Sequence, residues 1–109
     1  MTAPHDLADR YFALSAPEHV DELVALFTDD ALVTDDGHEY RGRAAIRRWR
    51  ASVPAVQHQV LESGADGEGH LARVRISGDF PGSPVTLLFR FGVAGSLIGS
   101  LLIRPVPAP

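Results

Sequence analysis

The chain has 109 residues, with 14 acidic side chains against 10 basic ones, a net charge of −4 and no cysteine. That length makes one domain with room for a core, and the missing cysteine excludes a disulfide framework, a thiol nucleophile and a thiolate metal site. The basic residues are all Arg, so the absence of Lys and Asn excludes Schiff-base chemistry and N-glycosylation, while the acidic balance speaks against nucleic acid as a partner.

Helical spacing opens the chain. Leu7, Ala8, Tyr11, Phe12 and Leu14 recur at the period of a helix over His5 to Leu14. Ser15-Ala16-Pro17-Glu18 has the pattern of a capping box, with Pro17 in the first turn of a second helix that runs to about Phe27. Ala31 to Thr34 reads as a short strand. Asp35-Asp36-Gly37 is a turn signal, because Asp bonds its own backbone and Gly takes positive φ. After Gly42 a third helix spans Arg43 to Ala51, anchored by Ile46 and Trp49 and stopped by Pro54.

From Ala55 the period changes to two. Strands are expected over Ala55 to Leu61, Leu71 to Ser77, Val85 to Phe91 and Leu97 to Arg104, with turns at 63–69, 78–84 and 93–95. Residues 105–109 form an irregular tail, and nothing divides 1–109 into further domains. Three helices followed by a four-strand meander give an α+β fold, with helices on one face of a curved, mostly antiparallel sheet.

Tyr11, the phrase FTDDALVTDD at 27–36, YRGRAAIRRW at 40–49, and the closing runs LLFRF and SLIGSLLI together resemble the nuclear-transport-factor-2-like superfamily, in its bacterial SnoaL-like and ketosteroid-isomerase-like branch. The resemblance covers about residues 5–104. It implies a cone with an apolar pocket inside. It places Tyr11 at the oxyanion-hole tyrosine of the isomerases and Asp35 at their general base. Their second oxyanion-hole acid corresponds to Leu87, so an intact steroid isomerase is not implied.

Each candidate has a bland reading beside the functional one. Asp35 is a base for proton transfer next to a carbonyl, or the end of a strand that bonds its own turn. Tyr11 is a hydrogen-bond donor or a core aromatic. His58, between Val56 and Val60 on the inward face, is an acid, base or ligand contact, or a satisfied structural residue. Phe27, Trp49, Val74, Leu87 and Phe89 are expected around the ligand, as packing or as lining. The family pattern turns Leu102 and Arg104 inward, where Arg104 would meet an anionic group, and leaves Leu101 and Ile103 outward with Thr86, Leu88 and Arg90. Arg41, Arg43, Arg47, Arg48 and Arg50 read as a solvated helix face. Asp35, Asp36 and His38 lack any metal-site spacing, so no metal and no cofactor are expected.

The resemblance implies a pocket protein for a small hydrophobic molecule, carrying out an isomerase, cyclase or lyase step on a carbonyl compound. The alternative is a non-catalytic module that binds an apolar ligand or only dimerises. An epoxide-hydrolase-like activity would need an inward Asp–Arg–Asp set, which the sequence does not offer. The apolar outer strip predicts a homodimer. No apolar run approaches the roughly 20 residues of a membrane span, and no secretory leader is visible, so a cytoplasmic protein without membrane partners is expected.

Overall fold

The computed structural model describes residues 3–53 and 56–106. In chain order its elements are α1 (Pro4–Ala13), a 3-10 turn (Pro17–His19), α2 (Val20–Val24), β1 (Phe27–Asp35), β2 (His38–Arg41), α3 (Arg43–Ser52), β3 (Gln57–Asp66), β4 (Gly69–Ser77), β5 (Val85–Ala94) and β6 (Leu97–Pro105). The strands form one mixed sheet of six, ordered β2-β1-β6-β5-β4-β3. Every neighbouring pair is antiparallel except β1 and β6, which run parallel.

Helix α1 begins with Pro4, where a missing N–H costs nothing, and buries Leu7, Ala8 and Tyr11 along one stripe. The expected capping box does not form. Ser15 Oγ instead donates to the Tyr11 carbonyl at 2.5 Å, satisfying an orphan acceptor in the last turn of α1. The chain then makes a 3-10 turn before α2 starts at Val20.

Helix α2 also ends earlier than its apolar spacing suggests. Leu26 is already committed to the sheet, because the Ile98 N–H donates to its carbonyl at 2.7 Å, and Phe27 opens β1 opposite Ile98. The stretch after Asp35, expected to be a loop, is a hairpin. Asp36 and Gly37 both have positive φ, 53° and 79°, as a two-residue connection requires, and His38–Arg41 returns alongside β1. Two strands therefore precede α3, and the order of three helices first is corrected.

Gly42 caps α3 with a φ of 88°, and its N–H reaches the Ala31 carbonyl at 2.8 Å. Arg43 ties the helix start to β1 through two bonds to the Phe27 carbonyl, at 3.0 and 2.7 Å. Ile46 and Trp49 are buried. Val53 is extended, as a residue before proline prefers. Pro54, the expected helix stop, lies outside the described residues, as does the end of the tail at 107–109.

The core lies between the helices and one sheet face. Its centre is aromatic, with the Tyr11 ring edge-on to Phe12, Phe27 and Phe91 at centroid distances of 5.3, 6.3 and 5.6 Å. In β6 the alternation is opposite to the expected one. Leu101 and Ile103 are buried, while Leu102 is half-exposed and Arg104 exposed. The run LIGSLLI is apolar at both parities, so periodicity alone does not select its inner face.

Candidate functional site

One cavity of about 440 Å³ opens between the end of β1, the end of α3 and the inner face of β3 to β6. Most of its lining is hydrocarbon, from Val53, Val56, Ile76, Phe80, Val85, Leu87, Phe89 and Ile103. The polar side chains of the lining are Tyr11, Asp35, Asp36, Trp49, Arg50 and His58. Few polar groups in a mostly apolar cleft is the usual construction of a small-molecule site.

Asp35 reaches the cavity because it is the last residue of β1, paired with His38 across the hairpin and with Ile103 of β6. Its carboxylate is held from outside its own turn: Trp49 Nε1 donates to Oδ2 at 3.0 Å. The indole is fixed in its turn by near-parallel stacking on Tyr40, with centroids 6.0 Å apart and planes 28° apart. Trp49 is thus both a core residue and the clamp on the acid.

Tyr11 arrives from α1 and is fully buried. Burial pushes its hydroxyl up to about 12, while the Arg50 charge offsets part of the rise and Asp35 adds to it. The phenol is therefore a proton-bearing donor at any physiological pH. His58 packs on Phe12 and Phe89 at centroid distances of 5.5 and 6.3 Å. Burial, reinforced by the Arg50 charge, lowers it to about 4, so it stands neutral in the cavity.

The structure brings Asp35, Tyr11, His58, Trp49, Leu87 and Phe89 to this cavity. Phe27 and Val74 are fully buried in the core and do not line it. Leu102 and Arg104 lie on the opposite sheet face, because β6 turns Leu101 and Ile103 inward; the expected anion contact at Arg104 is corrected accordingly. Among the described residues no group of three or more His, Asp or Glu is arranged to hold a metal ion.

The residue that sequence reasoning missed is Arg50. It was grouped with the exposed arginines of α3, yet it lines the cavity. The signal was present in the spacing. Ile46, Trp49, Arg50 and Val53 fall at i, i+3, i+4 and i+7, so Arg50 belongs to the buried stripe.

Comparison with known proteins bears on the family and the fold. The family model for the SnoaL-like domain matches residues 8–96. An inferred polyketide cyclase from Sinorhizobium meliloti is 36% identical, with a TM-score of 0.85 over 91% of this chain and 94% of that one. A protein from Sphaerobacter thermophilus superimposes with a TM-score of 0.87 at 22% identity, over 99% and 100% of the two chains. An inferred ketosteroid isomerase from Kribbella flavida gives 0.77 at 21% identity, over 94% and 80%. These last two show the fold alone. No curated protein matches the chain.

Proposed function

The chain belongs to the SnoaL-like domain family of the nuclear-transport-factor-2-like superfamily, and from that premise we propose that it moves a proton on a small apolar carbonyl compound, in an isomerase, cyclase or lyase step. One observation carries the reading. Asp35 and Tyr11 come from two distant elements and line one cavity that is otherwise largely hydrocarbon. The cyclase assignment of the 36% identical relative supports the same class.

The chemistry follows from a carboxyl group and a phenol that line one cavity. The Asp35 carboxylate takes a proton from the carbon next to a carbonyl; the electron pair of that C–H bond forms a C=C bond to the carbonyl carbon, and the C=O π pair moves onto the oxygen. The Tyr11 hydroxyl donates a hydrogen bond to that oxygen as it becomes anionic. The new carboxylic acid then returns its proton to another carbon of the same molecule, or to a leaving group. The Trp49 indole fixes the carboxylate geometry for both transfers.

Proton exchange tests this directly. A panel of cyclic and polyketide-like aromatic ketones is incubated with the protein in deuterated water, and loss of the α-proton signal is followed by NMR. The wild type should exchange the protons of a bound ketone, while Asp35→Asn should bind the same ketone and exchange it at least about 100-fold more slowly. Equal exchange by Asp35→Asn would reject the base. A second reading, a binding module without chemistry, draws on Leu87, which adds hydrocarbon to the cavity lining; binding without exchange across the panel would select it.

We also propose that two copies pair through the outer sheet face. Leu71, Leu88 and Leu102 are half-exposed there, flanked by the Arg73–Glu62 and Arg90–Asp66 ion pairs at 2.9 and 2.8 Å. Sedimentation should give a dimer that Leu88→Glu dissociates. A monomer at high micromolar concentration would refute it.

A further inference from the structure

Proton transfer by Asp35 and Tyr11 leaves Arg50 without a task. The guanidinium is nevertheless held in place from two sides. Nη2 donates to the Ser15 carbonyl at 2.8 Å, and Cζ lies 5.3 Å from the centre of the Trp49 ring. Neither neighbour cancels its charge, since a carbonyl is neutral and the indole face is only weakly negative. Among the described residues Arg43, Arg47, Arg73 and Arg90 each pair with a carboxylate, and Arg50 is the arginine without such a pair that lines this cavity. Asp35 lines the same cavity, but it is Trp49 that binds it.

A guanidinium carries five N–H donors, and only part of that set is used by Ser15. Its position beside hydrocarbon raises the value of any charge-assisted bond it makes. The rest of the cavity tells what else the ligand looks like. Leu87, Phe89 and Ile103 take an apolar body, and the negative Asp35 disfavours a second anionic group at its own end.

We propose that Arg50 binds an anionic oxygen of the ligand, so that the molecule recognised by this cavity is an apolar body bearing one ionised oxygen, either a carboxylate or an enolate. The inference rests on the cavity used for the proton-transfer reading, though not on Asp35 acting as a base. It narrows the substrate from carbonyl compounds in general to those that carry or develop a negative oxygen near Tyr11.

Two probes distinguish the sources of that oxygen. The first is 2-naphthoate against its methyl ester, with affinities measured by calorimetry. The second is 2-naphthol, whose ionisation in the bound state is read from its absorbance. Wild-type protein is expected to bind naphthoate about tenfold or more tightly than the ester, or to hold naphthol ionised at a pH where free naphthol is not. A naphthoate margin identifies a carboxylate, and ionised naphthol an enolate. Arg50→Gln should abolish whichever effect is seen, read as the ratio of naphthoate to ester affinity or as the ionised fraction of bound naphthol, and Arg50→Lys, which keeps the charge, should retain part of it. Absence of both effects in the wild type overturns the proposal, whatever the variants do. So does an effect that survives Arg50→Gln, or one abolished by Arg50→Lys while the ester still binds. Asp35→Asn separates this proposal from the proton-transfer reading, since it should stop deuterium exchange and, with one negative charge removed from the cavity, keep or strengthen the anion preference. A preference without exchange sinks the catalytic reading alone, and exchange without a preference sinks this one alone.

Discussion

Tyr11 and His58 show how burial assigns roles to groups that look ambiguous as letters. Removing the phenol with Tyr11→Phe should leave folding close to unchanged and lower deuterium exchange by roughly 100-fold, the usual cost of one oxyanion donor. His58 makes a stability prediction. Its folded pKa is about 4 against an ordinary 6.5, so as pH falls the unfolded chain takes up a proton before the folded one does. The stabilisation is complete above about pH 6.5 and is lost as pH falls toward 4. After discounting for its partial exposure, this amounts to about 1–2 kcal/mol. His70, also lowered by burial, contributes in the same direction. Urea midpoints compared at about pH 7.5 and about pH 5 should therefore drop for the wild type and drop less for His58→Phe. At this scale Asp35 and Tyr11 stand out in the sequence because both are chemically distinctive and lie within the phrases that carry the family resemblance, and both line the cavity. Arg50 could not be picked so easily, since one Arg among several in a helix shows its direction only once the buried stripe is counted through it.

The elements were legible where one force dominated and obscure where two competed. Helix α3 was read within a residue because Gly42 and the Ile46–Trp49 pair agree on its start and its face. The hairpin β1–β2 was read as a turn alone, since its return strand HEYR is too short and polar to show alternation. In β6 the inner face was misread because both faces carry leucine or isoleucine, and only pairing with β5 and β1 decides between them. Two glycines in the sheet test the packing of its elements. A methyl at Gly69 would strike the Phe91 carbonyl oxygen, which belongs to the backbone of the next strand and has nowhere to go. A methyl at Gly92 would meet only the Ser100 hydroxyl, which can rotate away. Gly69→Ala should thus cost roughly 2 kcal/mol or more in urea unfolding, and Gly92→Ala under about 1 kcal/mol. Equal costs would mean that the β4–β5 spacing is set by something other than this contact.

At the scale of the whole molecule, β6 decides the order of assembly. It lies between β1 and β5, so the helical half and the meander meet along the last strand to be made. Phe27 waits for Ile98, about seventy positions later. Contacts that distant slow folding, because loop closure comes before any gain from pairing. A chain stopped after Gly95 should show no cooperative thermal transition by circular dichroism, and adding residues 97–105 as a separate peptide should restore one. Until β6 is in place, β1 and β5 each keep an unpaired inner edge open to pairing with other chains. The same strand that brings Ile103 to the cavity therefore also covers the two inner edges of the sheet.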